Sequence, residues 1–198
     1  MLKHVDAIIV GAGASGIFAA IHHKVRQPDD RVVIIEKANA VLAKVKISGG
    51  GRCNVTHACF EPNDLCEFYP RGNKELRGPF RRFYTQDTID WFESRGVKLK
   101  VESDNRVFPV SDQSQTIIDC LLGEAKSLGI KIWTQCSVEE LKRDELGFLL
   151  VLADGQEIAA KKCVLATGSS RAGYILAKRL GHKIVEPVPS LFTFKMSL

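Results

Sequence analysis

The sequence of 198 residues predicts an α/β fold built on a parallel central sheet, and three observations carry that prediction. The apolar run Ala7-Ile8-Ile9-Val10 meets glycines at 11, 13 and 16, and a helical pattern follows at once from Ile17 to Val25. A second apolar run, Val32-Val33-Ile34-Ile35, ends in Glu36, twenty residues after Gly16. A third, Cys163-Val164-Leu165-Ala166, is apolar throughout, as suits a strand covered on both faces. Strand, glycine turn, helix, strand and terminal acid follow the order of a βαβ unit that binds an adenine dinucleotide.

Each part of that unit has a physical reason. Gly11 permits a tight strand-to-helix turn, Gly13 lets backbone approach a pyrophosphate, and Gly16 lets the helix sit close on the strand. The first-turn N–H groups then point at the phosphates, where the helix dipole favours negative charge. Glu36 can accept hydrogen bonds from both ribose hydroxyls of an adenosine. The helix ends near Arg26, and Gln27-Pro28-Asp29-Asp30 turns the chain into the second strand. His22 and His23 have no acidic or cysteine partner close in sequence and read as surface or packing residues.

Residues 37–70 show little apolar periodicity and read as one long loop, a length that usually marks function or disorder. At its centre lies Ser48-Gly49-Gly50-Gly51-Arg52-Cys53-Asn54-Val55-Thr56. Three successive glycines remove every side chain from a segment, so it can lie flat on a ring system and offer its N–H groups to acceptors. A flexible linker is the plain alternative. Beyond it, Thr85 is placed to cap a helix running to Arg95 and stopped by Gly96. Short strands are expected over residues 97–102 and 107–110, around Ser103-Asp104-Asn105. Ser111 or Asp112 opens a helix to Leu128, with Ile117, Leu121 and Ala125 on one face. A strand over 130–134 precedes a meander from Val138, in which 148–152 and 156–158 flank the turn Asp154-Gly155. After Thr167-Gly168 a last helix spans 173–180, stopped by Gly181, and Pro187 and Pro189 end regular structure.

Bulk properties exclude several classes. Hydrophobic content of 45% and charged content of 26% are those of a globular domain, and no apolar run approaches the ~20 residues of a bilayer span. The N-terminus passes directly into a strand, so no signal peptide is expected. Six cysteines without a C-x-x-C pair read as reduced thiols, so a cytoplasmic protein with no membrane partner is expected. The net charge of +5 is concentrated in Arg71, Lys74, Arg77, Arg81 and Arg82, with Phe80, Phe83 and Tyr84 among them. That stretch is either a solvated basic helix or a surface for an anionic partner, a nicotinamide phosphate or RNA. The spacings of Cys53, His57, Cys59 and Cys66 match no familiar zinc module, so no metal is expected. Cys53 has glycine neighbours and Arg52 to depress its pKa, but no second cysteine close by to resolve a disulfide.

The segment KISGGGRCNVT resembles the signature of the NAD(P)/FAD-dependent oxidoreductases of the BaiN/YhiN type, the aminoacetone-oxidase-like flavoproteins. The resemblance extends over VGAGASG at 10–16, FRRFYTQDTIDWFESRGVKL from Phe80, NRVFPVSD at 105–112, ATG at 166–168 and LGHKIVEPVPSLFTF at 180–194. Asn105 stands where the family usually has Gly, a mild change because Asn tolerates left-handed backbone. The chain also lacks the longer glycine-rich insert that commonly follows ATG in the family.

The resemblance implies a Rossmann-like FAD-binding domain of the glutathione-reductase type, with helices on one side of the parallel sheet and a small antiparallel β-meander on the other. It assigns the pyrophosphate to Gly11, Ala12, Gly13, Ala14, Ser15 and Gly16, and the adenosine ribose to Glu36, with Lys37 beside it. Lys44, Ser48, Gly49, Gly50, Gly51, Arg52, Cys53 and Asn54 fall along the flavin. Val138 would present its backbone to adenine, and Ala166, Thr167 and Gly168 would close over the cofactor. Arg52, Cys53, Asn54 and Arg106 are the candidates for chemistry, the two arginines as fixed cations near the flavin N1–O2 edge or an anionic substrate. Cys53 is read first as a small side chain beside the flavin.

The expected function is that of an FAD-dependent oxidoreductase. NAD(P)H reduces the flavin, and hydride or electrons pass to an unsaturated small-molecule substrate. Two alternatives stay open: a flavoprotein that reduces a uracil ring in RNA, and a non-catalytic nucleotide-binding module. By the resemblance, residues 1–198 form one incomplete FAD-binding domain, with an inserted domain beginning at about 190–198, and weak flavin retention is expected of this polypeptide alone.

Overall fold

β1 (Lys3–Val10) places Ala7 and Ile9 on one face and Ile8 and Val10 on the other, and all four are buried. A strand with two apolar faces needs cover on both. The structure, a computed structural model, describes residues 3–188 and shows what supplies that cover. α1 (Ala14–Arg26) lays Gly16, Ile17, Ala20 and Ile21 on the first face. β2 (Val32–Ile35) pairs parallel to β1, with Ala7 opposite Val32 and Val10 opposite Ile35.

Residues 37–70, expected as one loop, are broken into short elements. These are α2 (Ala43–Ile47), a single 3₁₀ turn at Ser48–Gly51, β3 (Thr56–His57) and α3 (Pro62–Glu67). None is long enough for an apolar period to register in the sequence. α4 (Asn73–Phe80) is the basic helix, and it packs mainly on α3. α5 (Thr85–Glu93) is capped by Tyr84 rather than Thr85, with the Asp87 carboxylate accepting from the Tyr84 N–H at 2.9 Å. The Thr85 hydroxyl, only 1% exposed, instead donates to the His57 carbonyl at 2.8 Å and ties α5 to β3.

β4 (Leu99–Val101) and β5 (Arg106–Pro109) pair antiparallel about the expected turn, and β3 joins the other edge of β5. Asn105 takes a φ of 63° there, the left-handed backbone expected of it. α6 (Ser114–Ser127) buries Ile117, Leu121 and Ala125 as expected. Its cap is Gln113, because Asp112 is held in left-handed backbone with its carboxylate on Arg52 and Lys100.

β6 (Lys131–Trp133), β7 (Val138–Arg143), β8 (Phe148–Leu152) and β9 (Glu157–Leu165) complete a six-stranded sheet of order β6-β2-β1-β9-β8-β7. The first four in that order are parallel, and β8 and β7 add antiparallel. Two segments expected separately, 156–158 and 163–166, belong largely to the single strand β9. The lysines between them hide its continuity, and they reach across to Asp6 (Lys161, 2.8 Å) and Asp30 (Lys162, 3.6 Å).

Leu141, Leu150, Leu152 and Ile158 pack with Ile8, Val10, Val33 and Ile35, so the meander covers the face opposite α1 and α6. α7 (Arg171–Arg179) places Leu176 in that same cluster, so one helix shares the meander's side. Val164 is 41% exposed, so the end of β9 is open where the sequence implied double cover. α1 contacts β2, β1 and β9. Among the described residues no helix is long and apolar enough to cross a membrane. Pro189, the LFTF segment and the expected start of an inserted domain at about 190–198 lie outside the described residues.

Candidate functional site

The three glycines after β1 are glycine for different reasons. Gly11 turns at φ 111°, and a Cβ there would meet the Ala166 carbonyl oxygen at 2.4 Å. At Gly16 a Cβ would stand 1.9 Å from the Gly11 carbonyl oxygen. Both requirements are internal to the fold. Gly13 has an ordinary φ of −82°, and a Cβ there would meet no protein atom within 4 Å. Its missing side chain leaves bare backbone facing a cleft, the cradle a pyrophosphate needs. The first-turn N–H groups of α1, including those of Ala14 and Ser15, lack intrahelical acceptors and carry the positive end of the helix dipole to the same place.

Glu36, at the end of β2, is fixed by two backbone donors. Its carboxylate accepts from the Ala12 N–H at 2.9 Å and the Ala38 N–H at 2.8 Å. A carboxylate has about four acceptor positions, so capacity remains for a pair of ribose hydroxyls. Lys37 lies exposed on the same cleft. Across it, the Ala166 N–H donates to the Val10 carbonyl at 2.8 Å, which sets Ala166, Thr167 and Gly168 beside the glycine turn. Val138, at the start of β7, lines the cleft with Cys136 and Ser137. The enclosed volume is about 560 Å³.

Two features of this cleft escaped the sequence reading. A Cβ at Gly173 would fall 1.8 Å from Thr167 Oγ1, so glycine lets the start of α7 close on the cleft, with Ser170 and Ala172 in its wall. A glycine in the first turn of a helix is the one signal for it. The other is the partner of Lys44, a residue that the resemblance already sets on the flavin side: its ammonium donates to Ser169 Oγ at 2.7 Å and bridges α2 to the turn before α7. Residues so far apart in sequence give no sign of meeting.

A second cavity of about 440 Å³ adjoins the first, and the two share Ala14, Ser15, Lys44 and Val45 in their walls. Phe18, Phe83, Phe92 and Ile117 make it apolar, with Ser48, Cys53 and Asn54 on one side. The triple glycine does not lie flat along either wall. Gly49, Gly50 and Gly51 take φ of 56°, 68° and 86°, a run of left-handed backbone that turns the chain sharply. The Cys53 N–H donates to the Ser48 carbonyl at 3.0 Å across that turn, and these flanking residues reach the cavity in place of the glycines. The Asn54 amide is anchored on β3, donating to the Thr56 carbonyl at 2.9 Å.

The reactive roles expected of this segment fare differently. Burial pushes the Cys53 thiol up, the reverse of the activation its neighbours suggested, because desolvation disfavours the thiolate. Arg52 is not a free cation: it pairs with Glu102 at 2.6 Å and lies 3.9 Å above the Phe108 ring. The Glu102 hydrogen bond raises its already high pKa. Arg106 pairs with Asp104 at 2.7 Å and approaches the same ring at 5.2 Å. Neither arginine lines either cavity; together they clamp the small antiparallel sheet.

The other singled-out side chains are structural. His22 packs on Phe18 at 4.2 Å with its Nε2 unpartnered, and burial, then Arg26 and Arg95, push its pKa down. His23 does have an acidic partner, Asp30 at 2.7 Å, brought round by the turn after α1. Cys66 is buried with its Sγ 3.2 Å from the Pro62 carbonyl, and His57 rests on Phe68 at 4.3 Å.

Comparison with known proteins places this geometry. A family model described as the HI0933-like protein Rossmann domain matches residues 5–189. The chain is 33% identical over 196 residues to a 3-dehydro-bile acid delta(4,6)-reductase of Clostridium scindens, covering 95% of this chain and 47% of that protein. It is 31% identical over 185 residues to a ribosomal RNA dihydrouridine synthase of Escherichia coli, covering 93% and 44%. The chain thus spans just under half the length of these two relatives. Among solved structures, the fold matches a 3-ketosteroid-delta4-(5alpha)-dehydrogenase of Rhodococcus jostii. The TM-score is 0.62 at 15% identity, over 84% of this chain and 46% of that one.

Proposed function

Because the chain belongs to the HI0933-like family of FAD-binding Rossmann domains, we propose that its two joined cavities hold FAD for a reductase acting on an unsaturated substrate. The observation that carries the reading is Gly13, whose side chain is missing for no reason inside the protein. The residues present fit the group. Glu36 is preset by Ala12 and Ala38 to accept two ribose hydroxyls, and its charge disfavours a 2′-phosphate there. The N–H groups of Ala14 and Ser15, free of intrahelical acceptors, would take the pyrophosphate, and Lys44 stands where the two cavities meet. The apolar wall of Phe18, Phe83 and Phe92 excludes water beside Ser48 and Cys53. Cys53 there keeps its proton.

Bound FAD supplies two-electron transfer from NAD(P)H to an activated C=C or C=N bond, the second proton coming from solvent. An enone of a fused-ring steroid is the small-molecule class that the bile acid reductase suggests. A uracil ring in RNA, the second reading, offers the same polarised C=C bond on a macromolecule.

Titration of the chain with FAD, followed by flavin fluorescence, tests the site. Quenching that ADP reverses is expected, since the glycine turn and Glu36 read the adenosine diphosphate half. A chain that quenches FAD fluorescence at no concentration removes the proposal. NADH or NADPH is then added to the complex without oxygen. Bleaching near about 450 nm supports the reductase, and bound flavin that neither donor bleaches leaves only a nucleotide-binding module.

A further inference from the structure

Residues 71–82 hold five cations against the single acid Glu75, and so carry four of the chain's five net positive charges. Lys74, Arg77 and Arg81 recur at intervals of three and four along α4 and its C-cap, which sets them in one stripe on the helix surface. Asn73, Leu76 and Phe80 recur at the same intervals and are half-buried on the side that packs. Arginines that fix the fold elsewhere are paired, Arg52 with Glu102, Arg95 with Glu124 and Arg106 with Asp104, while Arg26, Arg143 and Arg179 are not among the described residues' ion pairs. All five cations of this stretch are exposed, and none has a carboxylate in ion-pair reach among the described residues.

Aromatic surface lies beside the stripe. Phe68 is 59% and Tyr69 42% exposed, and Tyr69 contacts Phe80 with ring centroids 5.5 Å apart. Unpaired cations in a line with partly exposed aromatic rings are the elements of a single-strand platform, phosphates on the cations and bases on the rings. A flat anionic membrane fits less well. It would press equally on α3, where Glu61, Asp64 and Glu67 stand. A narrow strand can follow α4 alone. Past the helix, Phe83 packs on Phe18 at 5.3 Å and lines the apolar cavity beside Cys53.

We propose that α4 and the adjoining Phe68 and Tyr69 form a docking surface for single-stranded RNA, which Lys74, Arg77 and Arg81 hold by its phosphates next to the apolar cavity. The proposal rests on the macromolecular reading of the reductase site. Its test is the binding of a fluorescein-labelled single-stranded RNA of about 20 nucleotides to the full chain, read by anisotropy at about 50 and 200 mM KCl. Three phosphate contacts on a single strand predict an affinity about twentyfold weaker at the higher salt.

The triple variant Lys74→Gln, Arg77→Gln, Arg81→Gln is expected to bind at least about tenfold more weakly at low salt, with a flatter salt dependence. Phe68→Ala with Tyr69→Ala is expected to weaken binding with the salt slope unchanged. Wild-type chain that does not bind RNA at low salt overturns the proposal. So does a folded triple variant that binds as wild type does, or stripe-dependent binding to phosphatidylserine vesicles with none to RNA. FAD titration of the same samples separates the two readings. Unchanged FAD quenching with no RNA binding rejects this surface alone, and RNA binding without FAD quenching rejects the flavin site alone.

Discussion

Gly13 and Gly16 lie three residues apart in one motif, yet they answer to different constraints, and substitution separates them. Alanine at Gly16 drives a Cβ against the Gly11 carbonyl oxygen at 1.9 Å, backbone against backbone. Gly16→Ala is expected to cost about 3 kcal/mol of stability, seen in urea unfolding of the ligand-free chain. Gly13→Ala meets no protein atom within 4 Å and loses only the tolerance of glycine at a helix cap, about 1 kcal/mol or less. Its effect is expected in the ligand, as at least about tenfold weaker FAD binding. Equal FAD affinity in Gly13→Ala and wild type would mean that the pyrophosphate does not cross that backbone. At this scale the motif was legible because glycine spacing is local. The fate of Arg52 was not, because Glu102 and Asp112, which hold it, lie fifty and sixty residues on.

The elements were read correctly where they are long and periodic. α1, β2 and α6 fall within a few residues of their expected bounds, because each presents an apolar stripe or run to the core. The short elements between 43 and 67 had no such stripe and are positioned by tertiary contacts instead. Thr85 shows the rule at one residue. Its type and place suggested a cap, but its hydroxyl serves the His57 carbonyl from within the core. Thr85→Val keeps the shape and removes that donor, leaving the carbonyl with the Cys59 N–H as its one donor, and is expected to cost about 0.5–1.5 kcal/mol. Wild-type thermal stability in this variant would show that the hydrogen bond contributes nothing to holding α5 on β3.

The molecule as a whole carries a pH dependence that one half-buried thiol exposes. Burial pushes Cys163 on β9 up to about 12, from an ordinary 9.0. Between those values the unfolded chain has released a proton that the folded chain retains, so stability falls as pH rises. The contribution is full below about pH 9 and is lost as pH climbs toward 12. Wild-type stability to urea is therefore expected to fall more steeply than that of Cys163→Ala between about pH 8.5 and 10.5. Parallel curves would place the thiol in contact with water.

What the sequence alone determined is the dinucleotide unit, from β1 through the glycine turn and α1 to Glu36, since its spacing and apolar pattern are set within one short stretch, even though Gly11 also answers to the distant Ala166 carbonyl. Only the tertiary structure decided that Glu36 is held by Ala12 and Ala38, that α7 and Lys44 close the cleft, and that Ser48, Cys53 and Asn54 rather than the glycines face the adjoining cavity. Those contacts join segments brought together by the parallel sheet, whose crossovers set distant strand ends side by side, and no local pattern records them.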